Sequence, residues 1–505
     1  MKIWTPSKNA ARRMDMSDRM AMLIPVLLYL VFSMLVAYWA HLRFAGKGNF
    51  MEEYFAGGRS MGGFVLAMTI VASYTSASSF VGGPGIAYAL GLSWVLLAMI
   101  QVPLTFLTLG VLGKRFAIVA RRTNSVGITD FLRARYGNDT LVLLTSIALI
   151  IFFTAAMLAQ FIGGARLLQS VTGLPYAAGL ALFGFCVILY TAIGGFKAVV
   201  LSDAVQGLVM LAVAVMVLVI VARAGGGVEQ CIRTLESIDP GLITPSGPGN
   251  KVPQPFILSF WILVGLGTLG LPQTIQRCMS YKNSASMHRA MIFGTIIISF
   301  LLLFMHLSGA LGRAIFPDLP AGDMAMPTLI TSLLPPALAG VFIAGPLAAI
   351  MSTVDSMMLI ACSTLVKDIY IHYKLKGDAS AAPKGHLRLL SFCTTACIGL
   401  IVFFAAIEPP DLLVWINLFA FGGLEAAFLW PIILGLYWKK ANAAGAVSSV
   451  VAGVGAFFAI SLLKPPLGGV HPIVPTLIIG FIVFILGARL GPPPAPEIIR
   501  TFWKD

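Results

Sequence analysis

The sequence predicts an all-α polytopic membrane protein of about thirteen transmembrane helices, with a core of two inverted five-span halves. Three observations carry this reading. The chain is 58% hydrophobic and only 11% charged, and its apolar stretches repeatedly reach the roughly 20 residues that cross a bilayer core. Two of those stretches are interrupted mid-span by hydroxyls, Gly and Pro. The basic residues sit on alternate sides of the spans: of 34 Lys and Arg, 23 fall in one set of alternating loops. The net charge of +14 is therefore the positive-inside pattern of a membrane protein, and not a basic groove for nucleic acid.

The spans fall at about 20–43, 61–88, 90–113, 140–168, 176–193, 198–222, 255–280, 290–314, 337–366, 388–407, 412–437, 443–463 and 472–491. The first resembles a signal peptide, but it is too long for a signal core and has no clear cleavage site, so it reads as a retained helix. Residues 1–505 then form one transporter domain: an extra helix at 20–43, a first repeat at 59–223, an inverted second repeat at 254–437, and two closing helices at 443–491. The Lys/Arg asymmetry puts the 114–138 loop in the cytoplasm, the N-terminus outside and the C-terminus inside. The five basic residues of the N-terminal tail oppose this, and the loop totals outweigh them. The six cysteines lack metal-ligand spacing and read as small apolar packers.

The stretch Arg59 to Tyr88 changes character halfway. An apolar run, Gly63 to Val71, leads into Ser73, Tyr74, Thr75, Ser76, Ser78 and Ser79, and then Gly82, Gly83, Pro84 and Gly85. Gly lowers helix propensity and Pro removes a backbone donor. Broken backbone at membrane depth is tolerated only where protein encloses it around a polar cavity. A kinked packing helix is the plainer alternative. The span Phe256 to Tyr281 is interrupted in the same way by Gly265, Gly267, Gly270 and Pro272. Interrupted helices at matching positions of two inverted halves point to a midplane binding site in a secondary transporter.

Several polar residues lie inside apolar spans. Asp203 is either a pathway carboxylate or a helix-start charge favoured by the dipole. Ala349, Ser352, Thr353 and Ser356 share one helix face, as oxygen ligands or as a small-residue packing seam. Asp355 beside them needs a cation, a donor or a proton if buried. Gln101, Gln160, Gln273, Gln276 and Asn417 each either pack across helices or touch a solute, and packing is the simpler reading of each. Glu425 poses the same alternatives at a higher cost of burial. Arg277 reads as an interfacial residue that snorkels. Nucleophile-elbow, phosphate-loop and metal-cluster motifs are missing from the sequence, so nothing points to an enzyme.

At these residues the chain resembles the sodium:solute symporter family, from about Met20 to about Leu490. The broken helix VASYTSASSFVGGPG, the stretch TAIGGFKAVVLSDAVQG, the helix AAIMSTVDS and LPQTIQRCMSYK carry the likeness. Loops such as EYFAGGRSMGGFVLAMT and HPIVP make it most similar to the pantothenate-transporting branch. The resemblance implies a LeuT-type inverted repeat and sodium-coupled symport by alternating access. It implies one sodium ion held by the carbonyls of Ala72, Thr75 and Ala349 and the hydroxyls of Ser352 and Thr353. Asp203 matches an aspartate near the ion path, which in some members belongs to a second sodium site. The resemblance assigns no role to Asp355, which joins Asp203 as a candidate on local physics alone. Tyr74 stands where the proline-carrying branch has an acid, which argues against proline.

The expected cargo is pantothenate or a similar small organic anion, with Ser76, Gln160, Trp261 and Asn417 as substrate contacts. Sodium is the coupling ion and no cofactor is expected. The expected surroundings are the lipid bilayer of a bacterial cytoplasmic membrane, with no nucleic acid and no obligate protein partner. The alternatives are a sodium symporter for a monocarboxylate, proline or a sugar, and a transporter-like sensor module.

Overall fold

A computed structural model of the chain describes residues 16–44, 59–383, 385–409 and 413–503. Most of the N-terminal tail and residues 45–58 of the first loop lie outside the described residues. The orientation argument drawn from that tail is therefore not tested by the fold.

Among the described residues, eleven helices are long and apolar enough to cross a bilayer, and a bent helix pair adds a twelfth span. In chain order, α1 is Met16–Phe44. α2 (Gly63–Tyr74) and α3 (Ser78–Leu90) form the bent pair, turning by 74°. α4 is Leu92–Arg122, followed by the short α5, Ile128–Tyr136. α6 (Asp139–Thr172), α7 (Tyr176–Phe196) and α8 (Ala198–Ala224) are long spans, and α9 (Val228–Ile238) lies in the loop beyond them. The second interrupted span is α10 (Gln254–Gly270), which resumes as α11, Pro272–Arg277. α12 (Ser284–Ile315), α13 (Ala325–Leu333) and α14 (Pro336–Lys374) follow. α15 (His386–Ala405), α16 (Leu413–Tyr437), α17 (Ala443–Leu463), α18 (Ile473–Leu490) and α19 (Pro496–Trp503) complete the chain. Counting α10–α11 as one span gives the thirteen expected, with the third and ninth running further toward Arg122 and Lys374 than hydropathy alone suggested.

Local chemistry sets many of the boundaries. Asn138 caps α6 by accepting from the Leu141 amide at 2.8 Å, and Gly173 closes the helix in the left-handed region at φ 71. Asn283 and Asn442 cap α12 and α17 in the same way. Between α7 and α8, Gly195 takes φ 66, a conformation closed to most side chains. This kink separates two spans that would otherwise read as one helix of 49 residues.

Packing concentrates the polar face of α14 at the centre. α14 packs on α7, α8, α6 and the α2–α3 pair, while α1 covers the outer side of α7, α8 and the start of α14. α17 and α18 pair as a hairpin against α16. Cys186, Cys231, Cys278 and Cys362 are buried packers as expected, whereas Cys393 and Cys397 are exposed on α15.

Candidate functional site

α2 ends because Thr75 turns extended, at φ −71 and ψ 135. The break frees backbone groups that a continuous helix would pair internally. Side chains take them up. The Ala77 amide donates to Gln160 Oε1 at 2.8 Å, and the Ser78 amide donates to Ser76 Oγ at 3.2 Å. On the α14 side, Ser352 Oγ donates to the Ala72 carbonyl at 2.8 Å and Thr353 Oγ1 donates to the Thr75 carbonyl at 2.6 Å. The same hydroxyls lie 3.1 and 2.9 Å from the Ala349 carbonyl one turn back. Five oxygens from two helices thus converge at a completely buried point. The small side chains of Ala72 and Ala349 let the helices approach this closely.

A small cavity of about 50 Å³ lies beside the break. Its polar lining comes from Ser76, Ser78 and Ser79, the amides of Gln101 and Asn417, and His306. Tyr74, Trp94, Phe260 and Phe421 supply aromatic walls. Tyr74 is fixed by donating its hydroxyl to Gln101 Oε1 at 2.8 Å, and its ring lies 6.0 Å from that of Phe421. A polar floor with aromatic walls suits a small solute that has both apolar and hydrogen-bonding parts. A larger cavity, about 710 Å³, opens between α3, α6 and the loop around Asp323.

A buried charged cluster joins α2 and α14 on either side of the hydroxyl layer's helices. Arg277, with no exposed side-chain surface, contacts Asp203 Oδ2 through Nη2 at 3.2 Å. It also donates to Thr69 Oγ1 at 3.2 Å, to Ser356 Oγ at 2.6 Å and to the Gln273 carbonyl at 2.7 Å. Thr69 donates to Asp203 Oδ2 at 2.6 Å. Asp355 accepts from Tyr190 Oη at 2.6 Å and from Ser356 Oγ at 3.3 Å. One guanidinium therefore ties α2, α8, α11 and α14 together.

A profile of the sodium:solute symporter family matches residues 54–453. The chain belongs to the sodium:solute symporter family. It is 49% identical to a sodium/pantothenate symporter of Haemophilus influenzae over 472 residues, 94% of this chain and 97% of that one. It is 48% identical to a sodium/pantothenate symporter of Escherichia coli K12 over 484 residues, covering 96% and 99%. Its fold matches a solved Na⁺-coupled sialic acid symporter with a TM-score of 0.79 at 20% identity, over 94% of this chain and 98% of that chain. A nucleobase-cation symporter, Mhp1, matches with a TM-score of 0.53 at 14% identity, over 89% of this chain and 97% of that chain. The fold is the LeuT type, and the family consists of transporters that use sodium as coupling ion.

Within this family member, the structure brings together most of the residues singled out by sequence. Ala72, Thr75, Ala349, Ser352 and Thr353 form the hydroxyl–carbonyl layer. Asp203 and Asp355 meet the two ends of the Arg277–Ser356 link. Ser76 and Asn417 line the small cavity. Gln160 stands behind it, bonding the break and lying 3.4 Å from Asn417 Oδ1.

Two expectations are corrected. Trp261 is 51% exposed and does not line the cavity. The preceding residue, Phe260, takes that place, because neighbouring residues on a helix point about 100° apart. Arg277 does not snorkel to an interface. The break at Leu271 turns α11 inward, and its last residue reaches Asp203. His306, Trp94, Phe260 and Phe421 were not singled out. A lone histidine in an apolar span is a signal that was available, whereas aromatic residues in apolar helices give none. Glu425 is fully buried, and neither carboxylate oxygen has a hydrogen-bond partner among the described residues. Its carboxyl packs against Gly267, where any Cβ would overlap it.

Proposed function

We propose that this symporter imports pantothenate, coupled to sodium, across the cytoplasmic membrane of a bacterium by alternating access. Two relatives that match over nearly their whole length carry that name, and the small cavity has the mixed polar and aromatic lining that the molecule's carboxylate, amide, hydroxyls and gem-dimethyl group require. Ser76 and Asn417 are the substrate contacts we assign, with Gln160 holding both the break and Asn417 in position.

The single observation that carries the coupling mechanism is the pair of hydroxyl–carbonyl bonds between α14 and the break of α2. Sodium needs several converging oxygens, and Ala72, Thr75, Ala349, Ser352 and Thr353 supply five. The ion replaces the hydroxyl protons as the link between helices, turning each Oγ from donor to ligand. Holding both helices at once stabilises one side-facing state, which couples the ion to the conformational equilibrium. Ser352, Asp355 and Ser356 step down α14 toward Asp203, and we assign that layer as the ion's route or second station. Repeats at 59–223 and 254–437, each opening with a broken helix, provide the two bodies that rock against one another. The N-terminus is outside, the C-terminus is cytoplasmic, and the Arg277 cluster is the inner seal.

Concentrative uptake of labelled pantothenate into proteoliposomes under an inward sodium gradient tests this reading. Accumulation should vanish when the gradient is collapsed and should be blocked by unlabelled pantothenate but not by proline. Inhibition by proline without inhibition by pantothenate overturns the substrate assignment.

A further inference from the structure

The small cavity has a built polarity, donors on one wall and an acceptor on another. A chain of hydrogen bonds fixes the donor side. The Ala77 amide only donates, so the Gln160 atom it reaches at 2.8 Å is the carbonyl oxygen. The Gln160 nitrogen is then the donor to Asn417 Oδ1 at 3.4 Å. That takes up the oxygen of Asn417 and leaves its nitrogen to offer a solute. The rest of the polar lining leans the same way. Ser76 Oγ and Ser79 Oγ each accept from an amide of the break and have a hydrogen to give. Gln101 Oε1 is taken by the Tyr74 hydroxyl.

His306 on α12 has the opposite sense. Its Nδ1 lies 2.8 Å from the Leu302 carbonyl one turn back. A carbonyl only accepts, so Nδ1 carries the hydrogen, and in the neutral ring Nε2 keeps its lone pair. No carboxylate among the described residues faces the ring to hold a second proton on it. Nε2 has no hydrogen-bond partner among the described residues, although His306 is only 3% exposed and lines the cavity. The edge of the ring rests on Gly83 of α3, where any Cβ would overlap Nε2. In this lining, His306 Nε2 is the unpaired acceptor that cannot also donate.

We infer that His306 selects solutes that carry a hydroxyl, accepting the hydroxyl hydrogen at Nε2 while Asn417 and the serines donate to carbonyl and carboxylate oxygens of the same solute. The inference rests on the reading of the chain as a pantothenate importer, and deepens it by giving the solute a direction: hydroxyl end against α12 and Gly83, carbonyl end against α16. The ring edge is wedged between α12 and α3, so a rotatable O–H at the end of a solute reaches it more readily than an N–H in mid-chain. A solute that lacks the hydroxyl strips water from a buried lone pair and returns nothing. A site built to bond a hydroxyl therefore rejects the deoxy analogue far more strongly than an apolar pocket rejects the loss of a methylene.

The test uses the full chain in proteoliposomes, with sodium-driven uptake of labelled pantothenate. The competitors are unlabelled pantothenate and two analogues, each with one hydroxyl replaced by hydrogen. Against the unaltered chain, one deoxy analogue should need about 10- to 100-fold more than pantothenate for half inhibition. His306→Leu removes the acceptor and keeps an apolar side chain. It should raise pantothenate KM toward the value for that analogue and bring the ratio of their inhibition constants near one, with half-saturating sodium unchanged. His306→Gln, which has an oxygen to turn toward the solute, should retain part of the ratio. If His306 is only a strut between α12 and α3, His306→Leu weakens pantothenate and analogue alike and the ratio stays parental, which overturns the inference. If His306→Leu does not reach the membrane, His306→Gln and the unaltered chain decide. Equal inhibition of the unaltered chain by pantothenate and both deoxy analogues overturns the inference and leaves the substrate reading intact. Absence of sodium-driven pantothenate uptake by the unaltered chain overturns both.

Discussion

Replacing Ser352 or Thr353 with Ala tests the sodium layer most directly. Each hydroxyl contacts two buried carbonyls, one across the helix interface at 2.8 or 2.6 Å and one on its own helix at 3.1 or 2.9 Å. Removing it deletes one neutral oxygen ligand and leaves buried carbonyls without that donor, a loss on the order of 1–3 kcal/mol. Converted at about 1.4 kcal/mol per tenfold, that is roughly a 5- to 150-fold rise in half-saturating sodium. Both hydroxyls share the Ala349 carbonyl, so the double variant should lose less than the sum of the singles. The assay is initial uptake rate against sodium concentration at saturating solute, in proteoliposomes of matched protein content. Substrate KM at saturating sodium should change much less than the sodium dependence. Thr353→Ser keeps the oxygen and should stay within about threefold of the parent. An independent readout is the rise in Tm on adding sodium, which a ligand of the folded state must produce and which both Ala variants should lose. If both retain parental sodium dependence and a parental Tm rise, the layer is a packing seam and the ion binds elsewhere.

Three further outcomes follow from the geometry. Asp203→Asn leaves the Arg277 guanidinium buried beside a neutral partner, which costs about 3–5 kcal/mol when one half of a buried pair is removed. The inner seal should loosen, read as faster labelling of a Cys placed in α11 by a thiol reagent from the Arg277 side, and unchanged labelling would dismiss the seal. Trp261→Ala should leave substrate KM at the parental value while Phe260→Ala raises it severalfold, and the reverse order would restore the sequence-based assignment. His471, in the loop before α18, is pushed down to about 4 by burial, against about 6.5 in an unfolded chain. Between those values the unfolded chain binds more protons, so Tm should fall as pH drops from about 6.5 toward 4, and His471→Gln should flatten that slope.

Much of this protein is legible in its sequence. Span positions follow from hydropathy, because the bilayer requires about 20 apolar residues per crossing whatever the tertiary arrangement. The interruption at Thr75 was visible because a run of hydroxyls followed by Gly and Pro cannot remain a simple lipid-facing helix. The α14 stripe was visible because helical periodicity places Ala349, Ser352 and Thr353 on one face without reference to any other element. The pairing of that stripe with the Ala72 and Thr75 carbonyls came from the family resemblance, and the hydrogen bonds agree with it.

What the tertiary structure alone decided concerns partners distant in sequence. Asp203 and Arg277 are 74 residues apart, and local reading leaves one between an ion pathway and a helix start and sends the other to an interface, since neither context contains the opposite charge. Only the inward turn of α11 after Leu271 brings them within 3.2 Å. Phe260 and Trp261 are adjacent in sequence and chemically alike, so their division between cavity and outer surface depends on how α10 is turned against its neighbours. Arg166 and Asp323 meet across a cavity that exists only once α3, α6 and the 316–324 loop are assembled. Periodicity and hydropathy are properties of one segment and can be read from it; electrostatic partners and the facing of one aromatic ring are properties of how segments meet, and in this chain they decide which residues pair and which line the cavities.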